Sequence, residues 1–242
     1  MTSNYMTEFE KNFIRICEKI KKYVTPHKTN IKKIRIGGTH DGGYVVGDLP
    51  EYDALYSYGS NDQTTFERDF YRLFKKDSYV YDHTIDSITD KPEYIHFFKE
   101  GVNNYKTSNM DTLDNHIIQN GHTECKNLFG QIDIEGGEFK IFNNSVYLTN
   151  FSQILDFMND ESKIDAVFST LLENFVCIHI HGNNSPLRPW MDGNLPMVFE
   201  CTFIRKDLVS DMGVEPGTFP LKDLDFPNDN SRPDLRLDFW HN

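Results

Sequence analysis

Residues 52–83 read YDALYSYGSNDQTTFERDFYRLFKKDSYVYDH. The first seven residues form an apolar, aromatic run with the pattern of a buried strand, and it stops at Gly59-Ser60-Asn61-Asp62. Residues 64–74 place Phe66, Phe70 and Phe74 at i, i+4 and i+8, one face of a helix. Residues 78–81 are a second short strand that ends at Asp82-His83. Strand, glycine turn, helix and strand in this order make a βαβ unit, so the sheet is expected to be mostly parallel.

The same alternation continues on both sides. Upstream, residues 34–46 hold two β-prone pieces around Gly37-Gly38-Thr39-His40-Asp41-Gly42-Gly43. Four glycines in seven residues mark a backbone that turns tightly or approaches something closely. Before them, Phe9, Phe13, Ile16, Ile20 and Val24 recur at helical spacing among lysines, and Pro26 ends that helix. Downstream, residues 111–120 read as a helix closed by Gly121 and residues 128–134 as a strand. A strand over 151–157, a helix over 161–174 and strands over 175–181 and 196–206 follow. The tail from 219 is rich in Pro and Asp and is expected to wrap the surface. The fold class is therefore α/β, a mostly parallel sheet flanked by helices. One domain is expected over 1–242: a helical extension (1–30), a core (31–210) and a tail (211–242).

Composition narrows the function. The 242 residues carry a net charge of −12, which argues against a general nucleic-acid binder. A 14% aromatic share argues against disorder. No apolar run approaches the ~20 residues of a membrane span. Residues 1–10 are polar and lack the apolar stretch of a secretory signal, so the expected location is cytoplasmic. Cys17, Cys125, Cys177 and Cys201 are far apart in sequence, as expected for reduced thiols. Charge is uneven: residues 1–35 carry +6 and the remainder −18. The basic N-terminal helix has five readings: docking on the acidic body, meeting an anionic substrate, a lid, a contact in a homodimer, or an ordinary amphipathic cap.

In open α/β sheets ligands bind beyond the carboxyl ends of the strands. The residues expected there are small, polar and acidic: Tyr58, Gly59, Ser60, Asn61 and Asp62; Asp82 and His83; Asp133 and Glu135; Asp156; and His179, His181, Asn183 and Asn184. A glycine after the first strand lets a cofactor approach the backbone, although a simple turn uses one equally well. Asp82, 23 residues after Gly59, sits where an acid accepts hydrogen bonds from ribose hydroxyls. A single glycine is not the run that cradles a pyrophosphate, which points away from a dinucleotide. Asp133 and Glu135 are hard oxygen ligands suited to Mg or Mn, or alternatively solvated acids at a helix start. His179 and His181 face one side of a strand, suited to metal binding, base chemistry or sugar contacts.

Several of these runs together resemble one family. They are Arg35-Ile36-Gly37-Gly38 with Asp41-Gly42-Gly43-Tyr44-Val45-Val46; Tyr56-Ser57-Tyr58-Gly59 with Asp62 and Phe66-Glu67; and Tyr81-Asp82-His83-Thr84-Ile85-Asp86. Ile132-Asp133-Ile134-Glu135-Gly136-Gly137-Glu138-Phe139, His179-Ile180-His181-Gly182-Asn183-Asn184 and residues 200–208 complete the set. In this order they are similar to the FkbM-like methyltransferases over roughly residues 31–210. The resemblance implies a class I, Rossmann-like fold: a seven-stranded sheet with one antiparallel strand. It implies S-adenosyl-L-methionine as methyl donor and O-methylation of sugars in surface glycans or natural products. It places Gly59 to Asp62 along the methionine part, Asp82 at the ribose and Asp133 beside the transferred methyl.

The chemistry this implies is alignment, because a sulfonium already activates its methyl group. A sugar hydroxyl keeps its proton at neutral pH, and a divalent ion lowers the pKa of an oxygen it binds. Asp133, Asp156 and His181 are the expected metal ligands, with His181 alternatively the base, and Trp190 either stacks on a sugar face or simply packs. The partner is a small-molecule or glycan acceptor. Competing readings are a metal-dependent glycosyltransferase built on Asp133 and Glu135, a non-catalytic glycan- or nucleotide-binding module, and a metal hydrolase built on His179 and His181.

Overall fold

The structure is a computed structural model that describes residues 7, 11, 15, 18–19, 21–134, 137–142, 145–158, 164–185, 196 and 198–237. Its first elements are β1 (His27–Thr29), β2 (Lys33–Ile36), β3 (Tyr44–Gly47), β4 (Leu55–Tyr58), α1 (Thr65–Phe74), β5 (Ser78–Tyr81) and β6 (Ile95–Phe98). Then come β7 (Gly101–Asn103), β8 (Met110–Thr112), α2 (Leu113–Gln119), β9 (Leu128–Ile132), α3 (Glu138–Ile141) and β10 (Phe151–Met158). The last are α4 (Ile164–Asn174), β11 (Phe175–Gly182), β12 (Phe199–Arg205) and β13 (Asp211–Val214).

Seven strands make the central sheet in the order β11-β12-β10-β9-β4-β5-β6. β12 runs antiparallel to both neighbours, and the other pairings are parallel. The architecture is mixed α/β and compatible with a Rossmann-like fold. Among the described residues no helix is long and apolar enough to cross a membrane.

Period-two alternation along β4 gives the sheet two buried faces. Leu55 packs with Tyr52, Phe66, Phe70 and Phe129 on the α1 side. Tyr56 and Tyr58 pack on the other face with Tyr81, Ile117 and Ile132. On that face Tyr81 stacks on His116 at 3.9 Å, and Tyr58 lies 5.8 Å from the same ring. Burial holds His116 neutral down to a pKa of about 4, despite the nearby charge of Asp111.

The glycine-rich run is the tip of the β2–β3 hairpin. A Cβ at Gly37 would come 2.3 Å from the Gly42 carbonyl oxygen, and one at Gly43 would come 2.0 Å from that of Gly38. The two limbs therefore touch backbone to backbone. Arg35 braces the tip by donating to the carbonyls of Gly38 and His40, and it also reaches Leu224.

β6 had no readable strand pattern, because it is an edge strand with only Ile95 fully buried. Of the N-terminal helix, Lys11, Arg15, Glu18, Lys19 and residues 21–24 are described and helical. Its basic character meets the acidic body at α4, where Lys19 pairs with Asp165 at 2.7 Å and Tyr23 stacks on Phe168. Cys177 and Cys201 lie on neighbouring strands but oppose Phe203 and Ile180, and both are free thiols, as is Cys125. The tail is more than a surface wrap: Phe219 and Leu237 are buried in the main core.

Candidate functional site

A cleft of about 850 Å³ opens at the carboxyl ends of β4, β5 and β9. Gly59, Ser60, Asn61, Asp62, Asp82, His83 and Asp133 all border it, so the structure brings these expected site residues together. The hydrogen bonds from Asp133 N to Tyr58 O (2.9 Å) and from Gly59 N to Tyr81 O (3.1 Å) hold the three strand ends side by side.

Gly59 has a physical reason of its own. Its φ is +80°, and a Cβ there would lie 1.7 Å from the carbonyl oxygen of Asp133. The glycine exists so that the β9 end can close against the β4 end, which sets Asp133 at the border of the cleft. Tyr58 contributes through its backbone, since its side chain is buried on the opposite face with its hydroxyl 3.3 Å from His116 Nδ1.

Asp82 is buried and organised. Its Oδ2 accepts from Asn61 N at 2.9 Å, and its Oδ1 accepts from Thr84 N and the Thr84 hydroxyl. Three of about four acceptor sites are filled, and the remaining one suits a ligand hydroxyl. Asn61 reaches Asp82 from a left-handed conformation (φ 52°), a strained position for a residue with a side chain. Asp62 accepts from the backbone and hydroxyl of Thr89, which holds its carboxyl below the usual range. Asp133 borders the cleft beside Ile134, whose N–H is capped by Glu138.

Glu67 also borders the cleft and is buried. Burial raises its pKa, opposed by the hydrogen bond from the Ser57 hydroxyl at 2.6 Å. Tyr44, which also borders the cleft and packs against Phe66, is kept protonated well above its ordinary value by burial, then by the charges of Glu200, Asp133, Asp41 and Glu67.

Sequence reasoning missed one wall. Gly101, Val102, Asn103 and Met110 come from β7, β8 and their loop, which carry no periodicity. It also missed the hairpin tip as a wall, although the glycines announced a special backbone. Glu67 had one legible signal: a charged residue set among the buried phenylalanines of α1.

His179 and His181 are not among the residues that border the cleft. β11 is three strands away from β9, a span of about 14 Å at ~4.8 Å per strand. His181 is buried, with Nδ1 2.9 Å from Glu200 and Nε2 2.9 Å from Asp234. Burial opposes its charge, but the two carboxylates outweigh it and raise its pKa well above the ordinary value. An imidazolium donating from both nitrogens has no lone pair for a metal or a proton. His179 pairs with Asp225 at 2.9 Å. Asn184 accepts from Asp229 N and donates into the same tail. Asn183 holds the turn by accepting from Ser185 N.

Asp156 lies in β10 with its backbone opposite Ile132 and Cys201, and its side chain is outside the described residues. Glu135 and Trp190 are outside them too. Among the described residues no group of three His, Cys, Asp or Glu is arranged to hold a metal ion. No protein-family model matches the chain, and no curated protein matches it in sequence.

Proposed function

We propose that this chain is an S-adenosyl-L-methionine-dependent O-methyltransferase of the class I, FkbM-like type, acting on a hydroxyl of a sugar or sugar-containing metabolite in glycan biosynthesis. The observation that carries this reading is the charge of the cleft. Asp41, Asp62, Glu67, Asp82 and Asp133 border it, and none of its described bordering residues is Lys or Arg. Such walls favour a cationic ligand and repel a bare nucleoside diphosphate, which the glycosyltransferase reading brings in with a divalent ion. Adenosylmethionine carries a sulfonium, an ammonium and one carboxylate. A seven-stranded sheet with a single antiparallel strand also agrees with the resemblance.

The residues present fit the donor. Asp82 has an acceptor site left for a ribose hydroxyl, and Val102 and Met110 offer apolar surface to a purine. The loop of Gly59 to Asp62 is the wall for the methionine part. When bound, the donor supplies an already activated methyl group. The chain's task is to align the acceptor hydroxyl and to take its proton, for which the Asp133 carboxylate is the candidate base. No step is assigned to a divalent ion: of Asp133, Asp156 and His181, the described side chains place only Asp133 at the cleft, and His181 is committed to two carboxylates.

Isothermal titration with S-adenosylhomocysteine and with uridine diphosphate, each with and without Mg or Mn, tests the reading. Micromolar binding of the first and none of the second is expected. Binding of the diphosphate alone would overturn it in favour of a nucleotide-sugar enzyme.

A further inference from the structure

Glu67 is a buried carboxylate in the first turn of α1, 1% exposed, at the wall of the cleft. Its Oε1 accepts from Ser57, and its Oε2 is buried without a hydrogen-bond partner. The adjacent cation acts on the carboxyl only through its field, because Arg68 donates to the Thr64 hydroxyl and to the Asp90 carbonyl, and Glu67's own backbone N–H adds a local hydrogen bond. Ser57 is itself oversubscribed, lying 2.5 Å from Gln131 Oε1 with one hydrogen for two acceptors. If Gln131 turns its NH2 toward Ser57, Oε2 of Glu67 still has no donor. Buried carboxyl oxygens are costly when unpaired, so folded proteins supply partners for nearly all of them. Here the partner is missing in a residue that borders the cleft, with Oε2 itself covered.

We propose that Glu67 Oε2 is the counter-charge for a cationic N–H group of the bound ligand. The inference rests on the donor reading above, under which that group is the α-ammonium of the methionine half. Helix α1 starts directly after the Gly59 to Asp62 loop, so Glu67 lies beside the wall assigned to that half. An ammonium brings both the missing donors and the opposite charge, and a charge-assisted bond in a desolvated site is strong.

Two neutral-sulfur ligands isolate the contact: S-adenosylhomocysteine, and 5′-methylthioadenosine, which lacks the amino-acid arm. The wild type is expected to bind the first much more tightly than the second. Glu67→Gln keeps an oxygen for Ser57 but turns an NH2 toward the ligand. It is expected to weaken adenosylhomocysteine at least about thirtyfold and methylthioadenosine less than about twofold, the scale for losing one partner of a buried charged pair. Wild-type affinity of the variant for both, or equal loss for both, overturns the inference. So does a wild type that binds both ligands equally, whether or not the variant folds. A wild type that binds neither overturns the donor reading itself.

Discussion

Where β4, β5 and β9 end, Asp41, Glu67, Asp82 and Asp133 border open space. Where β11 and β12 meet, Glu200 and Asp234 instead close on His181, and Asp225 closes on His179. Arg35 lies in the field of Glu200, Asp225 and Asp234 as well. Both regions lie along the carboxyl edge of the parallel strands, and both are rich in acids. One is matched internally and leaves little for a ligand to do. The other has no Lys or Arg among its described bordering residues, and that shortage is what marks it as the candidate site. Asn228 joins the two, donating to Glu200 Oε1 at 2.6 Å and to Asp41 Oδ1 at 3.2 Å.

The largest way to break this contrast is to unbalance the matched corner. His181→Ala strands Glu200 and Asp234 in the interior, and a loss of about 4 kcal/mol is expected in urea unfolding, the scale for halving a buried ion pair. A loss below about 1 kcal/mol would mean that the corner is not a charge-matched core. The sign with pH follows from the raised pKa: the contribution of His181 is fully present below the unfolded value near 6.5 and is lost as pH rises through the folded one. Urea midpoints measured from pH 6 to 9 should therefore fall less steeply in His181→Gln than in the wild type.

His116 sharpens the comparison by behaving in the opposite way. It is held neutral to a pKa of about 4, so the unfolded chain takes up a proton that the folded chain refuses. Stability is expected to fall by about 3 kcal/mol between pH 6.5 and 4 on this account alone. Thermal unfolding of His116→Asn across that window should show the drop reduced; an undiminished drop would place the acid sensitivity elsewhere.

The site side is tested by Asp133→Asn. A fall of about a hundredfold in methyl transfer, near 2.7 kcal/mol, is expected for loss of a proton acceptor. The unfolding midpoint should barely move. Wild-type turnover in the folded variant would remove Asp133 from the chemistry. The smallest effect belongs to the bridge: Asn228→Ala should cost about 1–2 kcal/mol of stability, the scale of two hydrogen bonds, one of them to a buried carboxylate.

Much of the fold was legible because β4, β5, β9, β10, β11 and β12 are apolar runs and α1 carries a phenylalanine stripe. The loop of Gly59 to Asp62, with Asp82 and Asp133, was legible as converging on one cleft because parallel strands deliver their ends to one edge. His181 carried the same signature and had a different fate. Its partners are 19 and 53 residues away in sequence, and no local pattern reports that a distant tail will satisfy both nitrogens. Asn103 and Met110 were illegible for a different reason. They sit on three-residue strands paired only with each other, too short to show a period.

The tail that supplies Asp225 and Asp234 follows every strand of the central sheet in the chain. On the ribosome β11 and β12 are therefore made with His181 and Glu200 able to pair but before Asp225 and Asp234 exist. His179 waits without its carboxylate, and His181 without its second one, until the segment around 219–237 arrives and buries Phe219 and Leu237. That segment is a completion seal. A chain stopped before it keeps its sheet sequence intact yet presents an open polar corner and an unfilled core.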